Sequence, residues 1–213
     1  MNVIDRLGRD DERLTTLHNG VDPRFFGVER SAPSDDFTIA FIGRVVENKG
    51  VHLVLEAAEL AYRTTTRRLR VVVVGSANYD PDDPLTPYEV KLRAQAATMS
   101  VPVEFLPFAS QSQVARHLRN SSVACLPSLW SEGLPLAALE AMATGLPVIT
   151  SDSPGMVEAC GDAAAIIPGG DPAGMAAQVS LLANDSSEWS AASAASTLRA
   201  SQFSWRRVAE ALA

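Results

Sequence analysis

Lysine is scarce in this chain. Only two of its 213 residues are lysine, Lys49 and Lys91, and the formal net charge is −7. A nucleic acid would be repelled by such a surface unless a local basic stripe offset it. The one run that could do so, Arg63, Arg67, Arg68 and Arg70, reads as a solvated helix end leading into a strand. Cysteine is as scarce. Cys125 and Cys160 are too few for a disulfide framework, and Cys125 falls in an apolar strand pattern that suits a small core residue. No apolar run reaches transmembrane length and the start, MNVIDRLGRDDE, lacks the build of a secretory leader, so the default reading is a cytoplasmic protein. Repeats and low-complexity linkers are absent. Asp80, Asp82 and Asp83, with Tyr79, lack the spacing of a calcium loop, and the prolines among them favour a solvated turn, so no metal is expected. His52 and His117 fall in helical stretches without a nucleophile or acid partner nearby in sequence, and read as surface or packing residues.

What is there describes an ordinary globular chain, 46% hydrophobic and 20% charged, long enough for one well-packed domain. After a short amphipathic start comes TLHNGVDPRFFG, whose Asn19-Gly20 is a turn signal. Apolar strand runs then alternate with helical periodicity: strands at Thr38–Gly43, Leu69–Gly75, Val103–Leu106, Val123–Leu126, Val148–Thr150 and Ala163–Ile167. Between them, helices are expected over 51–63, Tyr88–Met99, Gln113–Asn120 and LAALEAMA, with a short one in SDSPGMVEAC. Met175–Ala183, 187–201 and 204–212 follow the last strand. Runs apolar on both faces suit parallel strands, so the expected fold is α/β, a Rossmann-like parallel sheet with helices on both faces. The division is 1–36 as the linker leading in, 37–185 as the Rossmann-like domain and 186–213 as C-terminal helices.

The most informative stretch is Pro127–Pro154, PSLWSEGLPLAALEAMATGLPVITSDSP. Pro135 suits a first helical turn, where its missing N–H is unsatisfied anyway, and Gly145 is placed to end the helix. The free N–H groups of the helix start form an anion site. Glu132 precedes the helix, while Glu140 lies inside it with a side chain that leans back toward the N-terminus. Arg44 stands at the end of the first strand and Lys49 just before the next helix, at the sheet edge where open α/β sheets bind ligands. A guanidinium can hold phosphate oxygens bidentately and an ammonium acts as a point charge. Two carboxylates beside a phosphate-sized anion hole suit a ligand with both hydroxyls and phosphates. A nucleotide sugar has both.

Glu132, seven intervening residues, Glu140 and AMATGLPVI resemble the donor-site motif of the family 4 (group 1) retaining glycosyltransferases of the GT-B fold. Gly43-Arg44 with Lys49-Gly50 resembles the pair that neutralises the donor diphosphate in that family, HNGVDPRFF its inter-domain linker, and FSW at 203–205 its terminal helix. The resemblance implies that Arg44, Lys49 and Glu132 act in the transfer. It also implies that Gly43, Arg44, Lys49, Ala109, Glu132, Gly133, Leu134, Pro135, Leu136 and Glu140 contact an NDP-sugar, UDP or GDP, with no cofactor or metal. Glu132 would grip sugar hydroxyls and Glu140 the ribose; neither is read as a hydrolase acid or nucleophile. Gly155 and Glu158 resemble a recurring structural turn. Where family members often carry Phe-Leu-Gly this chain has Phe105-Leu106-Pro107, a departure that bears on the base contacts near Ala109 and Gln111. The resemblance covers only a C-terminal GT-B half. It implies a carbohydrate or lipid-linked acceptor and a missing N-terminal GT-B domain as partners, with no nucleic acid and no transmembrane segment. The alternatives are a non-catalytic nucleotide-binding or assembly module that kept the fold and, less favoured, another GT-B enzyme such as a sugar epimerase.

Overall fold

A computed structural model describes residues 18–22, 30–33, 35–78, 80 and 82–212. The expected amphipathic start, most of the phrase after Asp22, and Tyr79 lie outside the described residues. Six strands form one sheet: β1 (Asp36–Ile42), β2 (Arg68–Val74), β3 (Val103–Leu106), β4 (Val123–Leu126), β5 (Val148–Ser151) and β6 (Ala165–Ile167). Every pairing is parallel, in the order β3-β2-β1-β4-β5-β6. The helices are α1 (Val51–Ala61), α2 (Pro87–Ala96), α3 (Gln111–Arg119), α4 (Leu136–Ala143), α5 (Pro154–Cys160), α6 (Pro172–Asn184), α7 (Ser186–Ala200) and α8 (Trp205–Leu212). None is long and apolar enough to cross a membrane.

Alternation along the strands divides the core into two layers. Phe37, Ile39 and Phe41 of β1, with Val71 and Val73 of β2, meet α1, α2 and α6 on one face. Ile42, Val72, Val74, Ala124 and Leu126 meet α3, α4 and α5 on the other. Burial on both faces is why β2 reads as an unbroken valine run.

Two helix starts lie earlier than the hydrophobic periodicity suggests, because caps extend them. Ser110 and Gln113 close a capping box, with Gln113 accepting from the Ser110 N–H at 2.8 Å, so α3 begins at Gln111. Thr86 and Glu89 do the same for α2, with Pro87 in its first turn. Pro135 departs from its expected place inside the helix. Its ψ of 113° makes it the cap of α4, and its carbonyl accepts from Ala138 N at 3.2 Å.

The segment leading in and the end of the chain lie side by side. Val21 N donates to the Phe203 carbonyl at 3.0 Å, and His18 Nε2 lies 2.7 Å from Glu158 Oε1 of α5. Arg30 donates to the carbonyls of Leu118 and Ser121 and lies over the Trp189 ring, and burial brings its pKa down to about 10. Trp189, on α7, is 1% exposed and donates Nε1–H to the Ser122 carbonyl at 2.7 Å. It closes the first core layer beyond the end of α6. Cys125 and Cys160 are buried and unpaired, and burial raises both thiols, Cys160 to about 12.

Trp189→Phe keeps the apolar body and removes the donor. A lost buried donor costs about 1–3 kcal/mol. The urea midpoint is expected to fall at unchanged slope, whereas an unmoved midpoint would mean that Trp189 does not close this layer.

Candidate functional site

Two loops meet at the carboxyl edge of the sheet, one after β1 and one after β4. After β1 the chain passes Gly43 and Arg44, makes a short 3-10 turn at Glu47–Lys49, and enters α1 through Gly50. Gly50 has φ +71°, and a Cβ there would collide with the Pro127 carbonyl. The glycine thus lets the Lys49 turn lie directly against the loop that follows β4. The Leu129 N–H completes the join by donating to the Asn48 carbonyl at 2.8 Å.

That join brings Lys49 to Glu132 across 83 residues of sequence, and Lys49 Nζ donates to Glu132 Oε1. Ser128 Oγ donates to the same oxygen at 2.5 Å. The Glu132 N–H donates to Ser153 Oγ at 3.2 Å, and the Ser153 hydroxyl donates to the Trp130 carbonyl at 2.9 Å. From below, α5 presses on the loop at Gly155, where a Cβ would overlap the Gly133 carbonyl. Gly155 is therefore structural, as its turn suggested.

A cavity of about 410 Å³ opens above these residues. Gly43, Arg44, Lys49, Ala109, Glu132, Leu134, Pro135 and Leu136 line it. Its volume falls in the range of small-molecule sites, roughly 300–1,000 Å³. Arg44 is exposed and, among the described residues, makes no hydrogen bond or ion pair. No side chain caps α4, and Leu136 and Ala137 of its first turn line the cavity. The floor is apolar, from Phe41, Ile42, Val74, Leu126 and Met156.

Two expected residues are not part of the lining. Gly133 turns its carbonyl toward Gly155. Glu140 is half-buried in α4 and engaged with the Gln111 side chain. Burial raises its carboxyl pKa to about 7, against the downward pull of the Gln111 hydrogen bond. Gln111, considered beside Ala109 for base contacts, is thus a partner of Glu140. Sequence reasoning did not single out Ser128 or Ser153, and read Asn19 only as a turn residue; Ser128 and Asn19 both line the cavity. Small polar residues in loops carry no periodicity, and only the fold brings Ser128 and Ser153 to the glutamate.

The remaining candidates resolve simply. His52 Nδ1 lies 2.8 Å from Tyr88 Oη, and burial lowers its pKa. Asp80 accepts from the Asp82 N–H at 2.9 Å, a local turn bond.

A sequence model described as "Glycosyl transferases group 1" matches residues 26–197. D-inositol 3-phosphate glycosyltransferase of Geodermatophilus obscurus is 32% identical over 224 residues, covering 99% of this chain and 48% of that protein. The chain thus spans about half the length of the curated relative it matches. Among solved structures, Anabaena HepE in complex with UDP superimposes with a TM-score of 0.80 at 19% identity, over 98% of this chain and 58% of HepE. The C-terminal domain of a glycosyl transferase group 1 family protein from Francisella tularensis superimposes at 0.68 with 21% identity, over 86% of this chain and 97% of that one.

The elevated pKa of Glu140 makes stability depend on pH. Its folded pKa of about 7 exceeds the ordinary carboxyl value of 4.5, so the folded state binds the extra proton between those values and stability falls as pH rises through the window. At 1.36 kcal/mol per pKa unit the loss above pH 8 is about 3 kcal/mol. Glu140→Gln should match wild type at pH 4 and exceed its unfolding free energy at pH 8, as urea titrations at the two pH values would measure. Parallel pH profiles would remove the buried carboxyl as the cause.

Proposed function

The chain belongs to the group 1 glycosyl transferases, and from that premise we propose that it is the nucleotide-sugar-binding half of a retaining enzyme of the GT-B fold. It would hold an NDP-sugar while the sugar passes to an acceptor hydroxyl. One observation carries the reading: Arg44, Lys49, Glu132 and the uncapped start of α4 converge on one cavity at the carboxyl edge of a parallel sheet.

In this reading the diphosphate lies between the Arg44 guanidinium, the Lys49 ammonium and the first N–H groups of α4. Two formal positive charges and a helix start offset its negative charge. The same groups stabilise the nucleoside diphosphate as negative charge grows on the leaving oxygen, an electrostatic contribution to the transfer step. Glu132 accepts hydroxyls of the donor sugar. Glu140 is assigned to the ribose on position alone: it lies in α4 one turn beyond the cavity-lining Leu136 and Ala137, and its side chain must leave Gln111 to meet a diol. The apolar floor takes the less polar surfaces of the nucleotide. UDP or GDP is the expected carrier, and the presence of UDP in the HepE complex favours UDP as the first probe.

The acceptor side belongs to the part of the relatives that this stretch does not match. A carbohydrate or lipid-linked hydroxyl must be oriented at the anomeric carbon, and orientation supplies much of the rate, with effective molarities of about 10⁵–10⁸ M. The 213 residues by themselves should therefore bind donor without sustained transfer. A donor-consumption assay, run with and without an N-terminal half from a full-length relative, checks this. Steady transfer to an added acceptor by the 213 residues alone would refute the division of labour.

Calorimetry with UDP-, GDP- and ADP-sugars tests the donor assignment directly. Lys49→Ala should weaken nucleoside diphosphates roughly tenfold and monophosphates much less. A charge-assisted contact to the second phosphate is lost, worth about 1.5–3 kcal/mol, and Glu132 is left facing the anion without its counter-charge. Equal losses for mono- and diphosphates would put Lys49 outside the diphosphate site.

A further inference from the structure

We infer that Ser128 is the positioning residue for Glu132, holding its carboxylate in place when a donor diphosphate draws Lys49 away. The inference rests on the donor-site reading above, and concerns how that site keeps its geometry when a donor binds.

Glu132 Oε1 accepts from both Lys49 Nζ and Ser128 Oγ. Among the described residues no hydrogen bond reaches Oε2. The site is thus neutralised from within, the ammonium being committed to the carboxylate 83 residues away. A diphosphate carries more negative charge than a carboxylate and competes for the same ammonium. Once Lys49 turns to it, Glu132 loses the one ion-pair partner it has among the described residues and gains an anionic neighbour, which would push an untethered side chain out of the cavity.

Ser128 is built to prevent that. It is 3% exposed, at the end of β4 and off the flexible lysine stem. Its N–H donates to the Leu126 carbonyl at 2.9 Å, and its carbonyl accepts from Ser151 Oγ, itself 1% exposed, at 2.5 Å. The hydroxyl has one proton and two acceptors in reach, Glu132 Oε1 at 2.5 Å and the Asn48 carbonyl at 3.4 Å, and the nearer one takes it. A hydroxyl-to-carboxylate bond of this length belongs to the charge-assisted class. The carboxylate is therefore gripped from the sheet side by Oε1, leaving Oε2 for a sugar hydroxyl. The nucleotide needs Lys49 whether or not a sugar is attached, whereas only the sugar needs a fixed Glu132. That difference separates the role of Ser128 from a general structural one.

The experiment compares wild type, Ser128→Ala and Ser128→Cys by calorimetry, with UDP, UDP-glucose, GDP and GDP-mannose as probes and thermal denaturation as the check on folding. Cysteine fills the serine site but donates weakly. Both variants are expected to bind the free diphosphate within about twofold of wild type and the matching nucleotide sugar about tenfold more weakly, the loss of one charge-assisted bond. If Ser128→Ala fails to fold, the near-isosteric Ser128→Cys decides alone. A sugar-to-diphosphate affinity ratio that stays at the wild-type value, or an equal loss for both ligands, overturns the positioning role and leaves the donor-site reading standing. A wild-type protein that binds none of the four probes overturns the donor-site reading, and this inference with it.

Discussion

The parallel pairing of β1 with β4 is the constraint from which the site follows. β1 pairs with β2 along its whole length, from Asp36–Arg68 to Ile42–Val74, but meets β4 only through Ile39–Val123 and Ala40–Ala124. After β1 the chain turns to one face of the sheet, and after β4 it turns to the other. The two loops part at the carboxyl edge and leave a crevice, the switch point at which open α/β sheets bind ligands. Arg44, Lys49 and Glu132 all stand on the walls of that crevice.

Bringing the walls together imposes its own demands. Lys49 reaches Glu132 only because Gly50 lets the backbone after β1 touch the Pro127 carbonyl, and Gly155 lets α5 approach the Glu132–Gly133 backbone from beneath. Side chains at either position would open the crevice. The second consequence is electrostatic. In a chain of net charge −7, one of only two lysines sits where it neutralises a partly buried carboxylate. An ion pair 23% and 11% exposed at its two ends is better shielded from water than a surface pair, yet remains open to a competing anion. Arg44 supplies a cation not committed to a partner among the described residues, and α4 supplies partial positive charge that has no counter-ion of its own.

The α/β alternation was legible because burial on both faces writes itself into consecutive residues. Val71–Val74 and Val123–Leu126 leave no polar position for a solvated face. Helix boundaries were less legible: α3 starts at Gln111 because Ser110 and Gln113 satisfy each other's backbone groups, a pattern that hydrophobic spacing ignores. Arg44, Lys49 and Glu132 could be placed at the strand ends, since each follows an apolar run that stops. Glu140 was harder, because its helix and register were readable but its burial against Gln111, and the pKa that follows, depend on where α3 packs. Pro135 was assigned to the first turn, whereas the chain uses it as the cap.

The sequence by itself determined which segments are strands and helices, that the strands run parallel, and which residue types stand at the sheet edge. These are local properties, set by burial patterns within about a dozen residues. Only the tertiary structure decided that β4 lies beside β1, that Lys49 and Ser128 share one oxygen of Glu132, and that Trp189 on α7 closes the core over Ser122. Each of those joins residues between 4 and 84 positions apart through packing. A pairing of that kind leaves no period in the chain, because it is fixed by which surfaces exclude water together.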